Sequence, residues 1–291
     1  MRIATWNVNS LKARFEKVSW WLARAAPDVL LMQETKLTDD NAPREEFARL
    51  GYELAHHGQG RWNGVAIASK VGLSDVIVNF GEPLAPATTH DAGDDEPFAE
   101  ARMIGAVCGG LRVVSIYAPN GRSVDSPFYQ AKLAWFERLV RFLEARPDTR
   151  ESLVLGGDFN VAPTDRDVWD AALCRGGTHV SAPERARFEQ VLASGLIDAY
   201  RLHHPEPERF SWWDYRAGAF HMNFGMRIDH LLVSAPLGPR VVAAEIDREA
   251  RKGKPVPSDH APVFVDLDQA GRSLDAGWSA ADARIAARRS S

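Results

Sequence analysis

The 291-residue sequence predicts an α/β protein, one folded unit in which short strands alternate with amphipathic helices. Three observations carry that expectation. Short runs rich in Val, Ile and Leu recur along the chain, bounded by Gly, Pro, Asn or Asp. Longer stretches between them repeat apolar residues at helical spacing. The composition, 25% charged and 45% hydrophobic, is that of an ordinary soluble globular chain and excludes disorder throughout. The formal charge of −4 excludes no partner class, since acids that hold metal and bases clustered elsewhere are compatible with nucleic acid.

In chain order, strands are expected at residues 2–6, 29–32, 64–69, 103–108, 112–117, 153–155, 230–234, 241–246 and 262–267. The stretch 10–24 reads as a helix with Leu11, Phe15, Val18 and Leu22 on one face. The clearest helix is 127–145, where Phe128, Leu133, Phe136, Val140 and Leu143 share a face and Pro147 stops the run. A third, 183–193, has Pro at its start and Gly195 past its end. The acidic run 90–97 is expected to be a solvated loop. After Leu267 the apolar rhythm fades into Ala, Arg, Ser and Gly, so one domain over 1–267 is expected, followed by a flexible tail over 268–291. No stretch approaches the ~20 consecutive apolar residues of a membrane span. The start reads as a strand with no apolar leader. Cys108 and Cys174 form neither a C-x-x-C pair nor a disulfide ladder, which fits a reducing cytoplasm. Continuous apolar strands call for sheets covered on both faces. Two packed sheets with helices outside and a single doubly wound sheet both meet that demand.

Chemistry collects at the strand ends. The first strand ends at Asn7, with Asn9 just beyond, and the second at Glu34. LVLGGDFN delivers Asp158 and Asn160 on alternate positions, facing the same way if extension continues. Asp229 opens another strand, and Asp259 and His260 precede the last. Taken singly, each such Asn or Asp is an ordinary turn residue. Together they form a set of oxygen donors with one histidine and no thiolate, which suits Mg²⁺ or Mn²⁺. Zinc is disfavoured, because His56-His57 and His203-His204 lack ligand spacing. There is no G-x-x-x-x-G-K-[ST] loop and no G-x-S-x-G elbow.

The blocks TWNVNSLKAR, LLMQETK, RWNGVAIAS, SIYAPNG, LVLGGDFNVAPTD, FSWWDYR, NFGMRIDHLLVS and SDHAPV, in order over residues 1–267, resemble the exonuclease III family of apurinic/apyrimidinic (AP) endonucleases. The resemblance implies a four-layered α/β sandwich of two packed sheets flanked by helices. It implies a DNA-repair phosphodiesterase that cuts duplex DNA 5′ to abasic sites and trims or unblocks 3′ ends, using Mg²⁺, with Mn²⁺ as a substitute, as a monomer. Carried over by position, Glu34 is the principal metal ligand, with Asn7, Asp158, Asn160 and Asp259 close to the metal. Asp158 is the candidate base, Asn160 holds the water or phosphate, and Tyr117 contacts the phosphate or the leaving group. His260, paired with Asp229, donates to a phosphate oxygen. The alternative base, the Asp229–His260 pair, stays open, as does the number of metals. A histidine beside a carboxylate favours imidazolium, which inclines the assignment to Asp158. Asn9, Asn120 and Arg122 are implied substrate contacts, and Trp212, Met226 and Ile228 the walls of an abasic-sugar pocket, although some relatives carry Trp where this chain has Met226. The basic run Arg248, Arg251, Lys252 and Lys254 reads equally as a solvated loop or a DNA contact. Two rival functions remain: a phosphoesterase acting on a lipid or inositol phosphate, and a DNA-binding relative without catalysis.

Overall fold

In the first strand Ile3 turns one way and Ala4 and Trp6 the other, and all three are fully buried. A strand buried on both faces needs cover on both, and the architecture follows from that demand. The computed structural model describes residues 1–81, 101–146, 149–206 and 209–289; the acidic run 90–97 lies outside the described residues. Two six-stranded sheets pack face to face. The first has the order β13 (Val241–Ile246), β14 (Val263–Leu267), β1 (Arg2–Asn7), β2 (Val29–Gln33), β4 (Val65–Ser69), β3 (Glu53–His57). The second runs β5 (Ser74–Val78), β6 (Met103–Cys108), β7 (Leu111–Tyr117), β8 (Leu153–Asp158), β12 (Asp229–Ser234), β9 (Leu196–Asp198). A separate ribbon pairs β10 (Trp212–Trp213) with β11 (Gly225–Met226).

Between the sheets, Ile3, Leu31, Ile67 and Val265 share one core with Ile104, Val113, Val154 and Leu231. Outside the first sheet, α1 (Leu11–Ala25) and α2 (Arg44–Arg49) lay Trp21, Leu22 and Phe47 over Trp6, Met32 and Ala66. Outside the second, α3 (Pro127–Glu144) and α6 (Ala182–Ala193) lay Phe136, Leu139, Phe188 and Val191 over Ile116, Leu155 and Leu232. The result is the four-layered α/β sandwich, and not a single doubly wound sheet. Short helices α4 (Thr149–Ser152), α5 (Ala171–Cys174) and α7 (Ala219–Met222) lie in the connections. Ser126 caps α3 ahead of Pro127, and Ser181 with Glu184 forms a capping box on α6. Among the described residues no helix is long and apolar enough to cross a membrane.

Each sheet holds one parallel pair, β1–β2 joined through α1 and β7–β8 joined through α3 and α4. The carboxyl ends of the two pairs meet at one edge of the sandwich. Gly156 permits that approach: a Cβ there would lie 2.8 Å from Leu31 Cδ1 of the facing sheet and 2.6 Å from Leu231 Cδ2.

The expectation of a flexible tail after Leu267 is corrected. Ala276, Trp278, Ala281 and Ile285 are buried, the last two on α8 (Ser279–Arg289). The Trp278 indole donates to Ile246 O at 2.9 Å. A segment rich in Ala and Arg hides this docking, because its large apolar side chains are few and widely spaced. The same region resolves the basic run. Arg248 and Arg251 are neither solvated nor offered to DNA; both are buried and donate to Phe220 O at 2.7 Å and Trp213 O at 3.1 Å. Arg248 lies over the Phe220 ring, 3.9 Å from its centroid, and Lys252 pairs with Glu249.

Candidate active site

Asn7 ends β1, Glu34 follows β2, and Tyr117 and Asp158 end β7 and β8. Strands β12 and β14 run antiparallel to their neighbours β8 and β1, so their beginnings join this edge and bring Asp229 and the preceding Asp259-His260. Asp158 lies opposite both Tyr117 and Asp229 in register. Left-handed backbone collects here, at Asn9, Glu34, Lys36, Arg122, Asn160 and His179. For Glu34 that conformation costs about 1–2 kcal/mol. The turn is held from several sides: Thr35 N donates to Gly64 O at 3.1 Å and Lys36 N to Asn63 O at 2.9 Å. Thr35 Oγ1 bonds His56 Nε2 at 2.8 Å, and His56 Nδ1 bonds Asp39 at 2.7 Å. Both His56 nitrogens therefore serve the turn.

Glu34, Asp158 and His260 bring one ligand atom each within 4.8 Å of one another. Asn7 Nδ2 donates to Glu34 Oε1 and to Asp158 Oδ2, each at 2.9 Å, while its Oδ1 accepts from Asn9 N at 3.0 Å. Asn7 therefore bridges the two carboxylates with its nitrogen. Asp259 stands outside the trio: its oxygens accept from Asn9 Nδ2 at 2.9 Å and Trp212 Nε1 at 3.0 Å. His260 Nδ1 donates to Asp229 Oδ2 at 2.8 Å, and its Nε2 lies 3.9 Å from Asp158 Oδ2. Burial disfavours charge on His260, but Asp229, Asp158 and Asp259 together hold its pKa above the ordinary value. Burial pushes the Asp158 carboxyl up, with His260 opposing and Asp229 adding to the rise. Tyr117 stays a phenol, because burial, reinforced by the Glu34 carboxylate, raises its pKa well above the ordinary value.

Asn160 N donates to Asp158 Oδ1 at 2.9 Å, and its side chain bonds Ala118 O at 3.0 Å and Asn120 Nδ2 at 3.3 Å. Asn120 and Arg122 are exposed beside it, with the Arg122 guanidinium 3.5 Å from the Phe128 ring centroid. In the ribbon Trp212 lies opposite Met226, and both pack with Ile228 and Val168. The three expected wall residues thus lie together beside Asp259 and His260. Sequence reasoning assigned no role to Lys36, although it stands in the quoted block LLMQETK. Its ammonium lies 3.1 Å from Glu34 Oε2 and donates to Asn9 Oδ1 at 2.6 Å. Ser211 Oγ, which accepts from Asp229 N at 3.0 Å, and Ser258 Oγ, which donates to Asn7 O at 2.7 Å, were also missed. The donor set fits a hard divalent cation, since two carboxylates face one another with only an amide between them. A charged His260 is then a donor and not a ligand.

Residues 4–260 match the Endonuclease/Exonuclease/phosphatase family. The chain belongs to that family. Among relatives within the endonuclease/exonuclease/phosphatase family, the Haemophilus influenzae protein named exodeoxyribonuclease III is 32% identical over 282 residues, spanning 92% of this chain and 100% of its own. A 3′ phosphatase from Neisseria, solved with a product DNA hairpin, superposes with a TM-score of 0.83 at 37% identity and covers 92% of this chain and 100% of its own. An AP endonuclease from Archaeoglobus fulgidus gives 0.81 at 35% identity, with 92% and 100% covered. The resemblance to the exonuclease III branch is borne out, and with it the assignment of the chain as an enzyme of this endonuclease/exonuclease/phosphatase fold.

Proposed function

We propose that the protein is a Mg²⁺-dependent DNA-repair phosphodiesterase, with Mn²⁺ as a substitute, that cuts duplex DNA 5′ to abasic sites and removes nucleotides or blocking groups from 3′ ends. It would act as a monomer, in the cytoplasm. The observation that carries the reading is the convergence of Glu34, Asp158 and His260 beside the apolar cluster of Trp212, Met226 and Ile228. Glu34, with Asp158 beside it, would hold the cation, which supplies charge stabilisation at the phosphate when bound. Asp158, raised by burial, accepts the proton of the attacking water. His260 keeps its charge and donates Nε2–H to a non-bridging oxygen, which speaks for Asp158 over the Asp229–His260 pair as base. Tyr117, still a phenol, donates to the phosphate or the leaving oxygen, and Asn160 orients the water. An apolar wall admits an extruded sugar that lacks a base, because such a nucleotide has little stacking to lose. Asn9, Asn120 and Arg122 would position the flanking phosphates without reading sequence.

A gel assay on labelled duplexes, intact, abasic or 3′-phosphorylated, with Mg²⁺ or EDTA, tests this. Mg²⁺-dependent incision 5′ to the abasic site is expected. DNA binding without product would make the chain a binding protein, and turnover of a soluble phosphomonoester alone would favour the lipid or inositol rival.

A further inference from the structure

Behind the Asn160 turn lies a buried ion pair that the proposed chemistry does not use. Lys132 of α3 and Glu184 of α6 are 52 residues apart in the chain, and both side chains are fully buried. Burying two charges costs several kcal/mol per ion unless hydrogen bonds satisfy them, and replacing such a pair with apolar residues is often neutral for stability. Glu184 also completes the capping box of α6, but the rest of the pair's bonds lead toward the site. The hydrogen bonds show where the donors are aimed. Lys132 Nζ donates to Asn160 O at 2.7 Å and to Asn120 O at 3.3 Å, as well as to Glu184. His179 Nδ1 lies 2.6 Å from the same Asn160 oxygen, which can only accept, so the ring donates from Nδ1. Glu184 in turn accepts from His179 N at 2.9 Å, and Thr178 Oγ1, with one proton to give, lies between Glu184 Oε1 at 2.9 Å and Asn120 O at 3.0 Å. The Asn160 and Asn120 carbonyls are thereby tied to one buried cluster, with Asn160 in left-handed backbone.

We infer that Lys132, held by Glu184, is a positioning residue: its ammonium anchors the backbone carbonyls of Asn160 and Asn120 and so holds the Asn160 amide where it orients the attacking water. Lys132 itself touches no substrate. Loss of its donor would let Asn160 relax out of the strained turn, which lowers turnover more than binding. The inference rests on the phosphodiesterase reading.

Two variants test it on abasic and 3′-phosphate duplexes: Lys132→Met alone, and Lys132→Met combined with Glu184→Gln, which removes both charges. Lys132→Met should lower Tm and reduce kcat by about 10- to 100-fold with KM within about twofold. In the double variant Tm should return toward that of the wild type, since no unpaired charge is buried, while kcat stays low. Independently of turnover, the side-chain amide ¹⁵N signal of Asn160 should shift in the double variant. Recovery of kcat together with Tm would make Lys132 only a counter-ion and overturn the inference. So would a folded Lys132→Met enzyme with wild-type kcat, an unshifted Asn160 signal, or a double variant that cannot fold. A wild-type protein inactive on both duplexes would instead sink the phosphodiesterase reading.

Discussion

Glu34 is held in a strained turn, salt-bridged by Lys36 and bridged to Asp158 by Asn7. A neutral amide at position 34 keeps that shape and loses the anion. Glu34→Gln is expected to cut abasic incision by at least about 10²-fold, a loss of the size seen when a transition-state charge contact is removed. DNA binding in EDTA should hardly change, and near-wild-type incision with Mg²⁺ would refute the metal role. Asp158→Asn cannot accept a proton, so turnover should collapse while the DNA complex persists; normal cleavage there beside a dead His260→Asn would move the base role to the Asp229–His260 pair. Trp212→Ala removes the proposed pocket wall and its bond to Asp259, at roughly 1–3 kcal/mol. Abasic incision should fall well below 3′-phosphate removal on matched duplexes at one salt concentration; equal losses would mean the ring merely supports the scaffold. The Asp158–Asn160 spacing and the Asp259-His260 pair were legible in sequence because polar residues at the ends of apolar strands stand out from the runs they bound. Lys132 and Glu184 were not, since nothing local announces that residues 52 apart meet as a buried pair.

At the scale of elements, the strands that read best are those buried on both faces, such as β2 and β8. β3 was missed because its sequence ELAHH mixes polar and apolar residues, β5 because its apolar run covers only residues 76–78 and its residues are exposed or half-buried, and β9 and the ribbon because they span only two or three residues. Whether the strands form two sheets or one was illegible from pattern alone, since either leaves both faces covered. The C-terminal segment was the largest misreading. Trp278 closes over Arg248, whose guanidinium also stacks on Phe220, and this places α8 against the stretch leading to Asp259. Trp278→Ala is expected to lower stability by about 3–5 kcal/mol in urea unfolding. A change below about 1 kcal/mol would show that the segment docks without stabilising.

For the molecule as a whole, pH acts through groups the fold keeps neutral. His230 is fully buried between Phe159 and Phe188. Arg227 Nη1, which can only donate, faces its Nδ1 at 3.0 Å, and its Nε2 donates to Val161 O at 2.9 Å, so a second proton has no acceptor. Burial, with the Arg227 charge, pushes its pKa down to about 4. Because the folded value lies below the unfolded 6.5, its contribution is intact above that pH and is lost as pH falls toward 4. Between pH 7 and 5 that amounts to about 2 kcal/mol. His230→Gln should remove this share of the acid destabilisation in urea titrations, and an unchanged pH slope would assign it to other groups. The two packed sheets also carry a consequence for tolerance. Glu34 follows a strand of one sheet and Asp158 ends a strand of the other, so the distance between these carboxylates depends on how closely the sheets pack, with Gly156 facing Leu31 between them. The sandwich works as a gauge block: anything that swells it by a few tenths of an ångström widens the gap a cation must span, before a single strand has melted.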